Sequence, residues 1–184
     1  MMHRVITAVL ILLFAGICIT GVQHTPSHVS EKADAAVRFD DYEELYFAIL
    51  SLTDGPNADE DFFSLPEAAR HLHFAALFDM EIMNGGLCQF FVNCGSSYAS
   101  RISQSLRAVG VPEIADLYDN FVSGNGIDVS DLSAFSISSI DEYAALAALY
   151  PFDDFDDPYV ALWQELNFPQ VMTDYANSHP GAFR

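Results

Sequence analysis

The chain has 184 residues, of which 26 are acidic and seven are Lys or Arg, giving a formal charge of −19 at pH 7 with histidine neutral. That balance argues against direct nucleic-acid binding, which needs a basic face, and favours cations or basic proteins as partners. Charge of this kind also serves plain solubility, so it says nothing of fold by itself.

The first residues read MMHRVITAVLILLFAGICITGVQH, with Arg4 ahead of about eighteen uncharged residues from Val5 to Val22. Such a run exceeds the usual secretory apolar segment and approaches the shortest membrane span. Residues 1–22 are therefore expected to be a signal peptide, cut after Gly21, or an uncleaved membrane anchor. Cys18 invites a lipoprotein reading, but Ile17 stands where a small residue should precede a lipidated cysteine. In either case Arg4 stays inside and the remainder is exported, to the periplasm or another extracytoplasmic space, anchored to the inner membrane if the leader is kept. With Arg4 set aside, six basic residues face 26 acidic ones, a balance of −20. Residues 23–38 are polar and lack an apolar rhythm, so they are expected to form a flexible tether. Residues 39–184 are long enough for one domain with a buried core.

From there a 3.6-residue rhythm recurs between stop and start signals. The first helix is expected from about Asp41 to Thr53, capped by Asp40 or Asp41 and ended by Asp54-Gly55-Pro56. Ser64 and Glu67 have capping-box spacing, with Pro66 in the first turn of a helix that reaches Met83. Asn84-Gly85-Gly86 should halt it, because these residues tolerate left-handed backbone. A short helix from Leu87 to Val92 follows, then another opened by Ser96 or Ser97, with Ile102, Leu106 and Val109 inward and Gly110 as its stop. Pro112 starts the next, with Ile114, Leu117 and Phe121 inward. Residues 124–139 read as loop with weak strand character. Ser139 and Glu142 repeat the capping-box spacing before the run EYAALAALY. Asp157-Pro158 is expected to open a helix carrying Tyr159, Leu162, Trp163 and Leu166, and Pro169 the last one, ending at His179-Pro180. The pattern is all-α, a single-domain bundle of seven or eight helices behind the hydrophobic leader.

Catalytic and metal patterns are weak. His71 and His73 diverge by about 200° on a helix, H-E-x-x-H is absent, and the aspartates of DDFDDP at 153–158 lack the alternating ligands, glycine and closing glutamate of a calcium loop. No G-x-S-x-G occurs, and Gly85-Gly86 has neither the third glycine nor the lysine of a phosphate loop. No enzyme, no cofactor and no metal site are expected. Cys88 and Cys94 are six apart, about 9 Å by helical rise, so a disulfide between them requires a helix break in the interval.

The stretch EIMNGGLCQFFVNCGSS, residues 81–97, holds Glu81, Asn84, Gly85, Gly86, Gln89 and Asn93 among apolar residues. The glycines permit a sharp reversal. Partly buried amides must find hydrogen-bond partners, and helix ends offer open ones. Glu81 is expected to accept from the amides that begin the next helix, so the group is read as structural. The run E-x-x-N-G-G-L-x-Q-F-F-x-N resembles the signature of the bacterial DNA-mimic protein family. Further likeness lies in SLRAVG–VPEIADLYDNF, FDDFDDPYVAL and the terminal HPGAF, so that it covers roughly residues 40–184. Cys94-Gly95 departs from the small hydroxyl residues the family tends to have there.

The resemblance implies a helical domain whose acidic surface stands in for DNA. A duplex shows one charge per about 1.7 Å of axis, and helices can array carboxylates at turn spacing. Three clusters are candidates for a partner-binding surface: Asp40, Asp41, Glu43 and Glu44; Glu113, Asp116 and Asp119; and Asp153, Asp154, Asp156 and Asp157. The expected function is a non-catalytic acidic binding protein that engages a basic protein by charge complementarity, as a monomer or homodimer. The alternatives are an envelope protein whose acidity only gives solubility, or an immunity-type inhibitor.

Overall fold

The computed structural model describes residues 38–51, 62 and 64–183. The proposed leader and residues 23–37 of the tether lie outside them. Among the described residues the fold is all-helical, with no strand and no helix long and apolar enough to cross a membrane. Six α-helices are present there: α1 (Tyr42–Ser51), α2 (Glu67–Val109), α3 (Pro112–Gly124), α4 (Ile140–Ala147), α5 (Asp153–Glu165) and α6 (Phe168–Ser178), with 3-10 turns at Ser133–Phe135 and Pro180–Phe183.

The long α2 is three helical pieces. Gly86 (φ 80°, ψ −179°) and Gly95 (φ 65°, ψ −174°) leave helical geometry and adopt an extended, positive-φ backbone that only glycine enters without strain. The first break is where Asn84-Gly85-Gly86 places it. The third piece returns along the first, so that Tyr98 packs edge-on to Phe74 at 5.3 Å and Ser105 Oγ lies 3.1 Å from His71 Nδ1. Gly110, at φ 101°, ends the helix with its N–H donating to Arg107 O, and Pro112 opens α3 as expected.

Local signals decide most other ends. Asp41 caps α1, its Oδ1 accepting from Glu44 N–H at 2.9 Å. Ser139 caps α4 through Glu142 N–H at 3.2 Å. Two expectations need correction. The box at Ser64 does not form: Pro66, which has no side-chain acceptor, occupies the cap position before Glu67. Nor does Asp157-Pro158 open α5. The helix begins at Asp153, with Pro158 inside it and Asp153, Asp154 and Asp156 in the first turn, where negative charge meets the positive end of the helix dipole. The strand character read in residues 124–139 resolves into turns around the 3-10 segment that buries Phe135.

The core is aromatic and centres on Phe78 of α2. Its ring meets Phe90, Tyr118, Tyr159 and Phe155 edge-on, with centroids at 5.0, 5.6, 5.8 and 6.1 Å. All five are at most 2% exposed, and each such burial stabilises by about 1.5–3 kcal/mol before entropy is counted. α3 and α5 pack together over this cluster, while α1 and α6 pack against α2 and against each other.

Candidate functional site: the glycine elbow, the carboxylates and a tyrosine-lined groove

At the Gly86 elbow the two glycines serve different ends. A β-carbon on Gly85 would strike the Gln89 amide, and one on Gly86 would strike the Asp156 carboxylate. The space Gly85 leaves lets Gln89 Nε2 donate to Glu81 Oε2 at 2.9 Å, and Asn93 Nδ2 joins the same oxygen at 2.8 Å. Glu81 is buried, so these two donors compensate the loss of water. The helix-start amide expected to reach Glu81 goes elsewhere: Leu87 N–H donates to Asp156 Oδ1 at 2.9 Å. Asp156, 69 residues along the chain, therefore closes the elbow from α5. Asn84, by contrast, is exposed.

Cys88 and Cys94 fall on one unbroken piece, because the second break comes at Gly95, beyond both. They are free thiols. Burial pushes each up to about 12, with Glu81 adding to the effect at Cys94 and Asp156 at Cys88, where a Tyr143 hydrogen bond opposes it.

The candidate surface carboxylates divide. Asp41 and Glu44 are engaged at the start of α1, Glu44 Oε2 accepting from Asp40 N–H at 3.1 Å; Asp40 and Glu43 are exposed. On α3, Asp116 and Asp119 both receive Arg107 Nη2, at 2.7 and 2.8 Å, and Asp119 also accepts from Ser103 Oγ. These two carboxylates hold the guanidinium charge on and raise its pKa. Glu113 stays exposed. On α5, Asp153, Asp154 and Asp157 face solvent while Asp156 turns inward. Of the eleven candidates, then, Asp156 belongs to the elbow and Asp116 and Asp119 are shared with a cation. What remains is one-sided: the sequence has no Lys or Arg between Arg107 and Arg184, while Glu113, Asp128, Asp131, Asp141, Glu142, Asp153, Asp154, Asp157, Glu165 and Asp174 in that interval are all exposed.

Sequence reasoning missed Asp79. It is 6% exposed, and its two oxygens accept from Tyr159 OH at 2.7 Å and Tyr42 OH at 2.8 Å. Burial pushes its carboxyl up, against the pull of both tyrosines, and Trp163 lies near enough to favour the charged form although its indole N–H completes no hydrogen bond. One signal was available. Asp79 stands seven residues after Leu72 and three after Ala76, on the buried stripe of the helix, where a carboxylate demands buried donors.

Beside Asp79 an open groove of about 310 Å³ runs between α1 and α2, lined by Tyr42, Glu43, Tyr46, Asp79, Met80, Met83 and Asn84. Tyr46 OH donates to Met80 Sδ. Among the described residues no group of three or more His, Cys, Asp or Glu converges as metal ligands would.

The family model of DMP19-like protein matches residues 63–179, more than half of the chain, from the start of α2 to the end of α6. The chain belongs to the DMP19-like family. That family is one of DNA-mimic proteins. The matched span holds the elbow, Asp79 and the acidic faces of α3 and α5, and leaves α1 outside. No curated protein matches the chain. No solved structure matches it.

Proposed function

We propose that this protein is a non-catalytic acidic binding protein that engages a basic protein as DNA would, through exposed carboxylates on and around α3 and α5. One observation carries the reading: a surface continuous in sequence from Glu113 to Asp174 has no lysine or arginine of its own, on a chain of the DNA-mimic type. Glu113, Asp116 and Asp119 recur every third residue along α3, about 4.5 Å apart by rise. The first turn of α5 adds Asp153 and Asp154 where α3 and α5 pack together. Carboxylates so placed set up a field that steers a cationic partner and sharpens its association at low salt. Arg107 narrows the face rather than erasing it, because it pairs with Asp116 and Asp119 while Glu113, Asp153 and Asp154 stay exposed.

The proposal extends to location. An apolar run behind Arg4 favours export, with the partner an extracytoplasmic basic protein. Sequencing the natural protein's N-terminus tests this: a start at Met1 in a cytosolic fraction would move the partner inside the cell.

The test of binding uses the immobilised full chain, with Glu113→Gln, Asp153→Asn, Asp154→Asn and Asp157→Asn combined as the comparison. Captured proteins should be basic, should elute as salt rises, and should be lost with the four-fold variant. Capture indifferent to salt and to the substitutions would leave the acidity as a solubility device.

A further inference from the structure

The groove between α1 and α2 has a chemistry that the acidic face does not share. Its hydroxyl protons are already spent. Tyr42 donates to Asp79 and Tyr46 donates to Met80. What the two tyrosine oxygens still offer is lone pairs, and Asp79 and Glu43 offer acceptors only. The walls are two aromatic rings, with centroids 6.3 Å apart and tilted by 50°, together with the thioethers of Met80 and Met83. No lysine or arginine lines it. An anion finds no positive charge to meet there, and the acceptors of a neutral polar group find only the Asn84 amide to answer them. A ligand with donors only, a positive charge and an aliphatic stem satisfies every feature at once: the stem lies on methionine, the charge lies over tyrosine faces, and the donors reach carboxylate and phenol oxygens. The volume admits one long side chain and its immediate neighbours.

We propose that this groove receives an arginine side chain of the basic protein partner, with Tyr42 and Tyr46 as its cation-binding walls, Asp79 at the floor and Glu43 at the rim. The inference rests on the reading that the partner is basic, and adds a specific anchor to a face otherwise defined by charge alone. Arginine suits it better than lysine because a planar guanidinium stacks on aromatic rings while its edge donates to carboxylate. Such anchors carry a large part of the binding energy at interfaces that are otherwise tolerant.

The experiment titrates the full chain with a short arginine-containing peptide and with the same peptide carrying neutral citrulline, reading the fluorescence of Trp163, the sole tryptophan, which lies beside Asp79. The arginine peptide should bind and the citrulline peptide should bind at least roughly tenfold more weakly. Glu43→Lys and Met83→Lys, both at exposed positions, should each weaken the arginine peptide by roughly tenfold or more. Asp154→Lys, the same change of charge as Glu43→Lys at an exposed residue that does not line the groove, should weaken it by less than about twofold, as a solvent-screened charge does. Equal affinity for the two peptides, or equal losses at Glu43 and Asp154, would overturn the groove. Tighter peptide binding after Lys32→Gln and Arg38→Gln would overturn the choice of occupant, because it would show the chain's own upstream segment seated there. Groove variants that keep full affinity, while the acidic-face variant loses its captured proteins, would sink this inference alone. Peptide binding that persists when the acidic face captures nothing would uphold the groove and sink only the wider reading.

Discussion

Gly86 and Gly95 adopt nearly the same backbone, yet they sit in opposite surroundings. Around Gly86 the side chains close in: a β-carbon would collide with Asp156, and the next N–H donates to that same carboxylate. Around Gly95 a β-carbon would meet nothing within 4 Å. One bend is a packed joint that ties α2 to α5. The other is only a change of direction. The difference teaches that positive φ tells where a helix breaks, and that contacts across the break tell how much depends on it.

Substitution by alanine separates the two costs. Gly86→Ala should be the most damaging change, about 3–5 kcal/mol, from strained backbone plus the displaced Asp156 carboxylate. Asp156→Ala should cost about 1.5–3 kcal/mol, since it leaves a buried N–H without its charged acceptor. The two should be strongly non-additive, because the second removes the group that the first collides with. Gly95→Ala should cost only the strain, about 1–3 kcal/mol, and should add to Asp156→Ala without coupling. Urea denaturation of the four proteins and the two doubles measures all of this. Equal losses at the two glycines would mean that the joint at Asp156 carries no weight.

How much of this was readable beforehand follows from the range of each interaction. Gly86, Gly110, Pro112, Ser139 and Pro169 act within a turn or two, so the sequence placed their breaks and caps correctly. The carboxylates were harder. Asp79 depends on Tyr42, 37 residues before it, and on Tyr159, 80 residues after it. Asp156 depends on a backbone amide 69 residues away. Neither partner leaves a mark in the local rhythm: Asp156 reads like its exposed neighbours, and Asp79 is marked only by its own place on the buried stripe of α2. Phe47 shows the converse. It is apolar on an amphipathic helix, yet 62% exposed, because among the described residues α1 packs mainly on α2 and α6 and Phe47 points away from both.

The smallest effect probes what the Gly95 bend achieves. By returning the chain it lays Tyr98 over His73, with ring centroids 6.4 Å apart, and His73 is 5% exposed with Nδ1 unpartnered. Burial lowers its pKa from the ordinary 6.5, partly offset by a backbone contact at Ile49. A histidine lowered in the folded state binds its proton later than it does in the unfolded chain. Its neutral form therefore costs nothing above pH 6.5, and stability is lost as pH falls from there towards the lowered folded value. The slope cannot exceed about 1.4 kcal/mol per pH unit, one proton's worth. His73→Gln never charges, so the gap in urea midpoint between wild type and variant should be constant above pH 6.5 and should narrow below it. The same narrowing should vanish in Gly95→Ala if the strained bend relaxes and lets water reach the ring. Parallel curves for wild type and His73→Gln at every pH would show that the return leaves His73 as wet as in the unfolded chain, and that Gly95 closes nothing.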